Sequence, residues 1–166
     1  MTDDRPPGLP LIRPPSPPPA RTEDEAARRL AEALQRGVCR MLGDQGFGTL
    51  VEFRLPNGRR ADVIGLSAAT DFTIVEVKTS VADLRADLKW PEYLPYCNAF
   101  YFAVPEGFPQ HLLPAEHGVI VADAYDAVVI RPSAAFALHP TRRRSQLLRF
   151  ALTASARLSR LADPRF

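Results

Sequence analysis

The chain has 166 residues, with 21 Lys and Arg against 19 Asp and Glu and a formal net charge of +2. That length suits one domain with a substantial core, and the near balance of charge does not by itself argue for nucleic acid, so the placement of single arginines matters. Two isolated cysteines, Cys39 and Cys97, exclude a CxxC zinc ribbon or redox pair and are expected reduced and buried.

Residues 1–21 are Pro-rich, and repeated proline denies both helix and sheet. A disordered or polyproline II tail is expected there, of a kind that can dock an aromatic groove on a partner. Folding is expected from residue 22 to residue 166. Thr22 and Glu25 make a capping box. Ala27, Leu30, Ala31, Leu34, Val38 and Met41 follow at helical spacing, which predicts an amphipathic helix ending at Gly43.

The next stretch alternates. Val51, Phe53 and Leu55 are expected on one face of a strand over 50–55, with Glu52 and Arg54 on the other. Asn57-Gly58 signals a hairpin turn. Residues 61–66 and 72–79 read as the second and third strands of an antiparallel meander. Ser80 and Asp83 repeat the capping pattern and predict a helix over 81–89, stopped by Pro91, with a short helical turn over 92–96. Residues 98–104 are an apolar run expected to be a buried central strand. Residues 118–122 and 127–130 predict two more strands. The segment 141–162 reads as a last helix with Leu147, Phe150, Ala151, Ala154, Leu158 and Leu161 as its apolar stripe. The helix after the meander should return the next strand parallel to one already placed. The expected fold is therefore α/β, a mixed sheet flanked by helices.

One stretch carries chemistry. Residues 60–80 read RADVIGLSAATDFTIVEVKTS. Glu76 and Lys78 are two apart on one predicted strand and share a face, while Val75 and Val77 take the other. Asp62 stands on the neighbouring strand. Two carboxylates and an ammonium placed so suit a hard divalent cation with oxygen ligands. A solvated ion pair on a strand has the same local pattern. Glu52 either joins this face or pairs with Arg59 or Arg60. Asp83 and Asp87 read as capping and solvated residues, and Ser80 as an N-cap. His111, His117 and His139 fall in loops without ligand spacing. Trp90 reads as core. Arg54, Arg59 and Arg60 flank the first hairpin beside Asp62, and Arg142, Arg143 and Arg144 form a second basic run at a helix start, so both sets are candidates for phosphate contact.

The α-β-β-β-α-β order with Asp62 and then Glu76-Val77-Lys78 resembles the PD-(D/E)xK nuclease superfamily, over roughly 22–104. More narrowly, EVKTSVADLRADLKWPEYLPYCNAFYFAVP resembles the MmcB family of DNA-repair proteins, through EVK-x-S followed by DxKW. Ala61 stands where the superfamily pattern has proline. The resemblance implies a restriction-endonuclease-like core and a Mg²⁺- or Mn²⁺-dependent endonuclease in DNA repair. The alternative is an inactive nuclease-fold module that binds DNA or a repair partner. By this resemblance Asp62, Glu76 and the Val77 carbonyl would hold the metal, and Lys78 would polarise the attacking water and steady phosphate charge. Lys89 would sit near the metal, with Tyr93 one turn on as a further contact to DNA. The implied partners are DNA and repair proteins. No apolar run approaches the ~20 residues that span a bilayer, and no signal-peptide core is present, so a soluble, cytoplasmic protein is expected.

Overall fold

A computed structural model describes residues 22–165. The expected proline-rich tail lies outside the described residues. Helix α1, Glu23–Asp44, begins as the capping pattern predicts, with Thr22 Oγ1 accepting from the Glu25 amide at 3.4 Å. Its buried face is Leu34, Gly37, Val38, Met41 and Leu42.

Strands β1 (Gly48–Arg54), β2 (Arg60–Leu66) and β3 (Phe72–Val77) form the expected antiparallel meander. Helix α2, Val81–Ala86, and a 3₁₀ segment, Trp90–Tyr96, carry the chain across to β4, Ala99–Val104. Strand β4 lies parallel to β3, as the crossover requires. Strand β5, Gly118–Ala122, adds a second parallel pairing, and β6, Ala127–Arg131, closes the sheet antiparallel. Among the described residues the sheet has six strands in the order of the sequence. Helix α3, Pro140–Ala162, ends the fold. The mixed sheet flanked by helices is the expected one.

Each face of the sheet has its own core. On one face α1 sets Leu34, Val38, Met41 and Leu42 against Val63, Val75, Val77, Ala103 and Ile120. On the other, Phe53, Phe72, Phe100, Phe102 and Phe150 pack with Tyr93 and Trp90. The central strands are therefore covered twice. All six residues of β3 are buried, which is why they read as a continuous apolar run around one carboxylate. Trp90 is core, as expected, stacked on Phe100 with ring centroids 5.9 Å apart.

Several local expectations fail for physical reasons. The alternation of β1 breaks at Glu52, whose φ of +50° turns the chain, so Leu50 and Phe53 pack against the same core and Val51 is left exposed. Helix α2 stops at Ala86 because Asp87 is extended, and Pro91 falls in the first turn of the 3₁₀ segment, where no amide is needed. His117 precedes β5 as expected of a loop residue, yet it is buried, 4.7 Å from the Trp90 ring, and desolvation lowers its pKa. The last helix keeps its apolar stripe only at Leu147 and Phe150, because Leu158 is 67% exposed and Leu161 82% exposed. Cys97 is buried as expected, Cys39 is only half-buried, and both are free thiols.

Candidate active site

The pairing of β2 with β3 runs from Leu66↔Phe72 to Val63↔Val75. One step further, Asp62 faces Glu76, and side chains replace the ladder. The Val77 amide donates to Asp62 Oδ2 at 2.8 Å, and the Asp62 amide donates to Glu76 Oε1 at 3.4 Å. Each carboxylate is thus anchored on the other's strand. Period-2 geometry keeps Glu76 and Lys78 on one side of β3 and sends Val75 and Val77 into the core under α1.

Lys78 is only 4% exposed. Its ammonium donates to Asp87 Oδ2 at 2.6 Å and lies 3.8 Å from Glu76 Oε2. Asp87 is set at the end of α2, where its Oδ1 also accepts from the Lys89 amide at 2.8 Å. Asp83 turns its carboxylate back to the Thr79 amide at 3.0 Å while its own amide is capped by Ser80 Oγ. The helix cap and the lysine partner are therefore built from one short segment.

These groups line an open cleft of about 530 Å³ that also takes in Arg59, Arg60, Lys89 and Tyr93. Its charge balance is uneven. Burial pushes Asp62 up to about 6, against the pull of the Val77 amide and Lys78. Burial, then repulsion from Asp62, lifts Glu76 well above the usual carboxylate range. For Lys78, burial opposes the charge, but Asp87 and Glu76 outweigh it and hold the ammonium above its ordinary value. Burial also works against the Asp87 charge, and the Lys78 and Lys89 hydrogen bonds more than offset it. The result is a fixed ammonium beside two carboxylates that want either protons or a cation.

That donor set fits a hard divalent ion. Among the described residues no group of three or more His, Cys, Asp and Glu is gathered as a metal cage. Asp62 and Glu76, with the Val77 carbonyl, are the protein donors such an ion would use here. Two carboxylates suffice for Mg²⁺, which keeps several waters and accepts phosphate oxygens.

The other candidates separate. Lys89 lines the cleft and is exposed. Tyr93 also lines it but is largely buried, and its hydroxyl donates to the Arg60 carbonyl at 3.1 Å, so it braces the start of β2. Glu52 stands outside the cleft, paired with Arg60 at 2.6 Å and reached by Gln35, which decides between its two sequence readings. Arg59 is held bidentate by Glu92 at 2.7 and 2.8 Å. Arg54 remains exposed. Arg142 donates to the Pro95 carbonyl and lies over the Tyr96 ring, and Arg143 is paired with Asp71, so of that basic run only Arg144 stays uncommitted among the described residues. The residue that sequence reasoning missed is Asp87. It read as solvated because nothing local shows that the crossover returns it to Lys78.

A solved structure of SPO1766 from Silicibacter pomeroyi, a protein of unknown function, is 42% identical to this chain. The match covers 81% of this chain and 92% of that one, with a TM-score of 0.79. No curated protein matches. The sequence profile of the DNA repair protein MmcB-like family matches residues 18–165, and with almost the whole length covered, the chain belongs to the MmcB-like family of DNA repair proteins.

Proposed function

We propose that the protein serves DNA repair as a divalent-metal-dependent deoxyribonuclease of PD-(D/E)xK type, hydrolysing phosphodiester bonds in the β2–β3 cleft. The observation that carries this reading is the pairing of Asp62 with Glu76 across two strands, with Lys78 fixed beside them. The family supports the DNA-repair setting.

Mg²⁺ or Mn²⁺ held by Asp62, Glu76 and the Val77 carbonyl supplies Lewis-acid stabilisation of phosphate charge and lowers the pKa of water. The chain's own groups do the rest. Asp87 keeps the Lys78 ammonium charged and oriented, so that it meets a phosphate oxygen or the entering water without having to reorganise. The exposed Lys89 at the cleft mouth attracts the phosphodiester backbone. Tyr93 fixes the backbone just before Asp62 and keeps that carboxylate in register with Glu76. Water loses a proton as its oxygen bonds to phosphorus, the bond from phosphorus to the leaving oxygen breaks, and that oxygen takes up a proton from solvent in balance with the one released.

The test is Mg²⁺- or Mn²⁺-dependent cleavage across labelled single-stranded, duplex, branched and damaged DNA, with wild type beside Asp62→Ala and Lys78→Ala. Wild type is expected to cleave, and both variants to lose that cleavage. Cleavage retained by both variants overturns the assignment. Salt-sensitive DNA binding without cleavage moves it to a non-cleaving module on the same fold.

A further inference from the structure

We propose that the groove between β1 and α3 is a second DNA site, a track for the phosphate backbone that continues from the carboxylate cleft. It deepens the nuclease reading and rests on it for its place in the reaction, but its binding can be measured without cleavage.

The groove has a volume of about 600 Å³. Its cationic lining is Arg54 from β1 and Arg149, Arg157 and Arg160 from α3. The three helix arginines fall at offsets of eight and then three residues, so they lie along one face of α3. Arg157 is the anchor. Its guanidinium donates to the carbonyls of Val51 at 2.6 Å and Glu52 at 3.1 Å, which ties the helix to the strand where the backbone turns at Glu52. Arg54, Arg149 and Arg160 are exposed and pair with no carboxylate among the described residues. Three guanidiniums thus face an open groove without a counter-charge.

The one acid in the lining among the described residues, Glu52, is neutralised by Arg60 at 2.6 Å. Arg60 also lines the carboxylate cleft. The Glu52–Arg60 pair is therefore the wall that groove and cleft share, and a strand leaving the cleft passes over it onto α3. From Ser145 to Arg160 the helix rises ~22 Å, the axial length of about six phosphates of one strand. Thr153, between Arg149 and Arg157, brings a hydroxyl, which is an ordinary phosphate donor. Leu148 and Leu152, each 62% exposed, border the groove and offer apolar contact to the sugars. Among the described residues no aromatic side chain lines it, so they give it no platform for stacking bases, and contact with the backbone is independent of sequence.

The experiment is fluorescence anisotropy of the full chain with a fluorescein-labelled DNA duplex carrying a single-stranded tail, in EDTA so that no cleavage occurs. Arg149→Gln/Arg160→Gln is compared with wild type and with Arg28→Gln/Arg36→Gln on α1, which removes the same charge elsewhere. The groove variant is expected to bind about tenfold more weakly, with the slope of log affinity against log salt reduced by about 2, while the α1 variant stays near wild type. A groove variant that binds like the α1 variant overturns the proposal. If wild type binds and the groove variant weakens it, but Mg²⁺ gives no cleavage, the groove stands and the nuclease reading falls. If cleavage depends on Asp62 yet the groove variant binds unchanged, the groove alone falls. Absence of DNA binding by wild type sinks both.

Discussion

Lys78 has two carboxylate neighbours in different circumstances. Glu76 shares its cleft with Asp62 and is driven toward neutrality by burial, whereas Asp87 sits at the rim with three donors around its carboxylate. The charge of Lys78 therefore depends mainly on Asp87. Asp87→Asn keeps the shape and removes the charge. It is expected to lower the rate constant for cleavage about 10- to 100-fold, the range seen when a group that orients a reacting side chain is removed. A single-turnover assay under saturating DNA checks this, and an unchanged rate would show that Lys78 needs no partner. The carboxylates also set a pH dependence. The folded chain holds the Asp62 proton up to about pH 6, while its ordinary value is 3.8. Between those values the folded state binds more protons than the unfolded one, so the metal-free protein loses this contribution to stability as pH rises through that window. In the proposed metal site the protons on Asp62 and Glu76 must leave before a cation enters, so metal affinity is expected to fall as pH drops.

At the scale of elements, the site is only as fixed as the β2–β3 pair, and α1 clamps that pair from behind. The clamp passes through Gly37. A Cβ there would lie 2.3 Å from the Asp123 carbonyl oxygen and 2.5 Å from that of Asp126, both backbone atoms of the turn between β5 and β6. Arg40, one turn on, donates to the carbonyls of Ala124 and Tyr125 at 3.0 and 3.3 Å. Alanine is the better helix former by ~1 kcal/mol, but the clash forces α1 off the sheet. Gly37→Ala is expected to cost about 1–3 kcal/mol of stability, read from urea unfolding. A gain in stability would mean that α1 does not rest on that turn.

At the scale of the whole molecule, the order of elements is legible in the sequence because its two periods are clean. The helical spacing of α1 reports burial on one face, and the apolar runs of β3 and β4 report burial on two. The strand period of two puts Glu76 and Lys78 on one face of β3, with Asp62 on the strand beside them. What the sequence hides is what the fold brings together from a distance. Asp87 reaches Lys78 only because α2 turns back over the end of β3. Arg142 and Arg143 look free in sequence and are bound to Pro95 and Asp71 across the fold. The positive φ of Glu52 has no local signal such as glycine, and it redirects β1 and leaves Arg157 a carbonyl to hold. The groove on α3 reads in sequence as a failing apolar stripe, since a helix face open to a ligand and one open to water look alike.

The central claim is that Asp62 and Glu76 form a seat for a divalent cation. Titration calorimetry with Mn²⁺ tests it most directly, on wild type and Glu76→Gln, at pH 7.5 and at pH 5. A single site is expected in wild type at pH 7.5, weakened at pH 5, and absent in Glu76→Gln at both. Equal binding by wild type and Glu76→Gln, or no binding by wild type at pH 7.5, would contradict it.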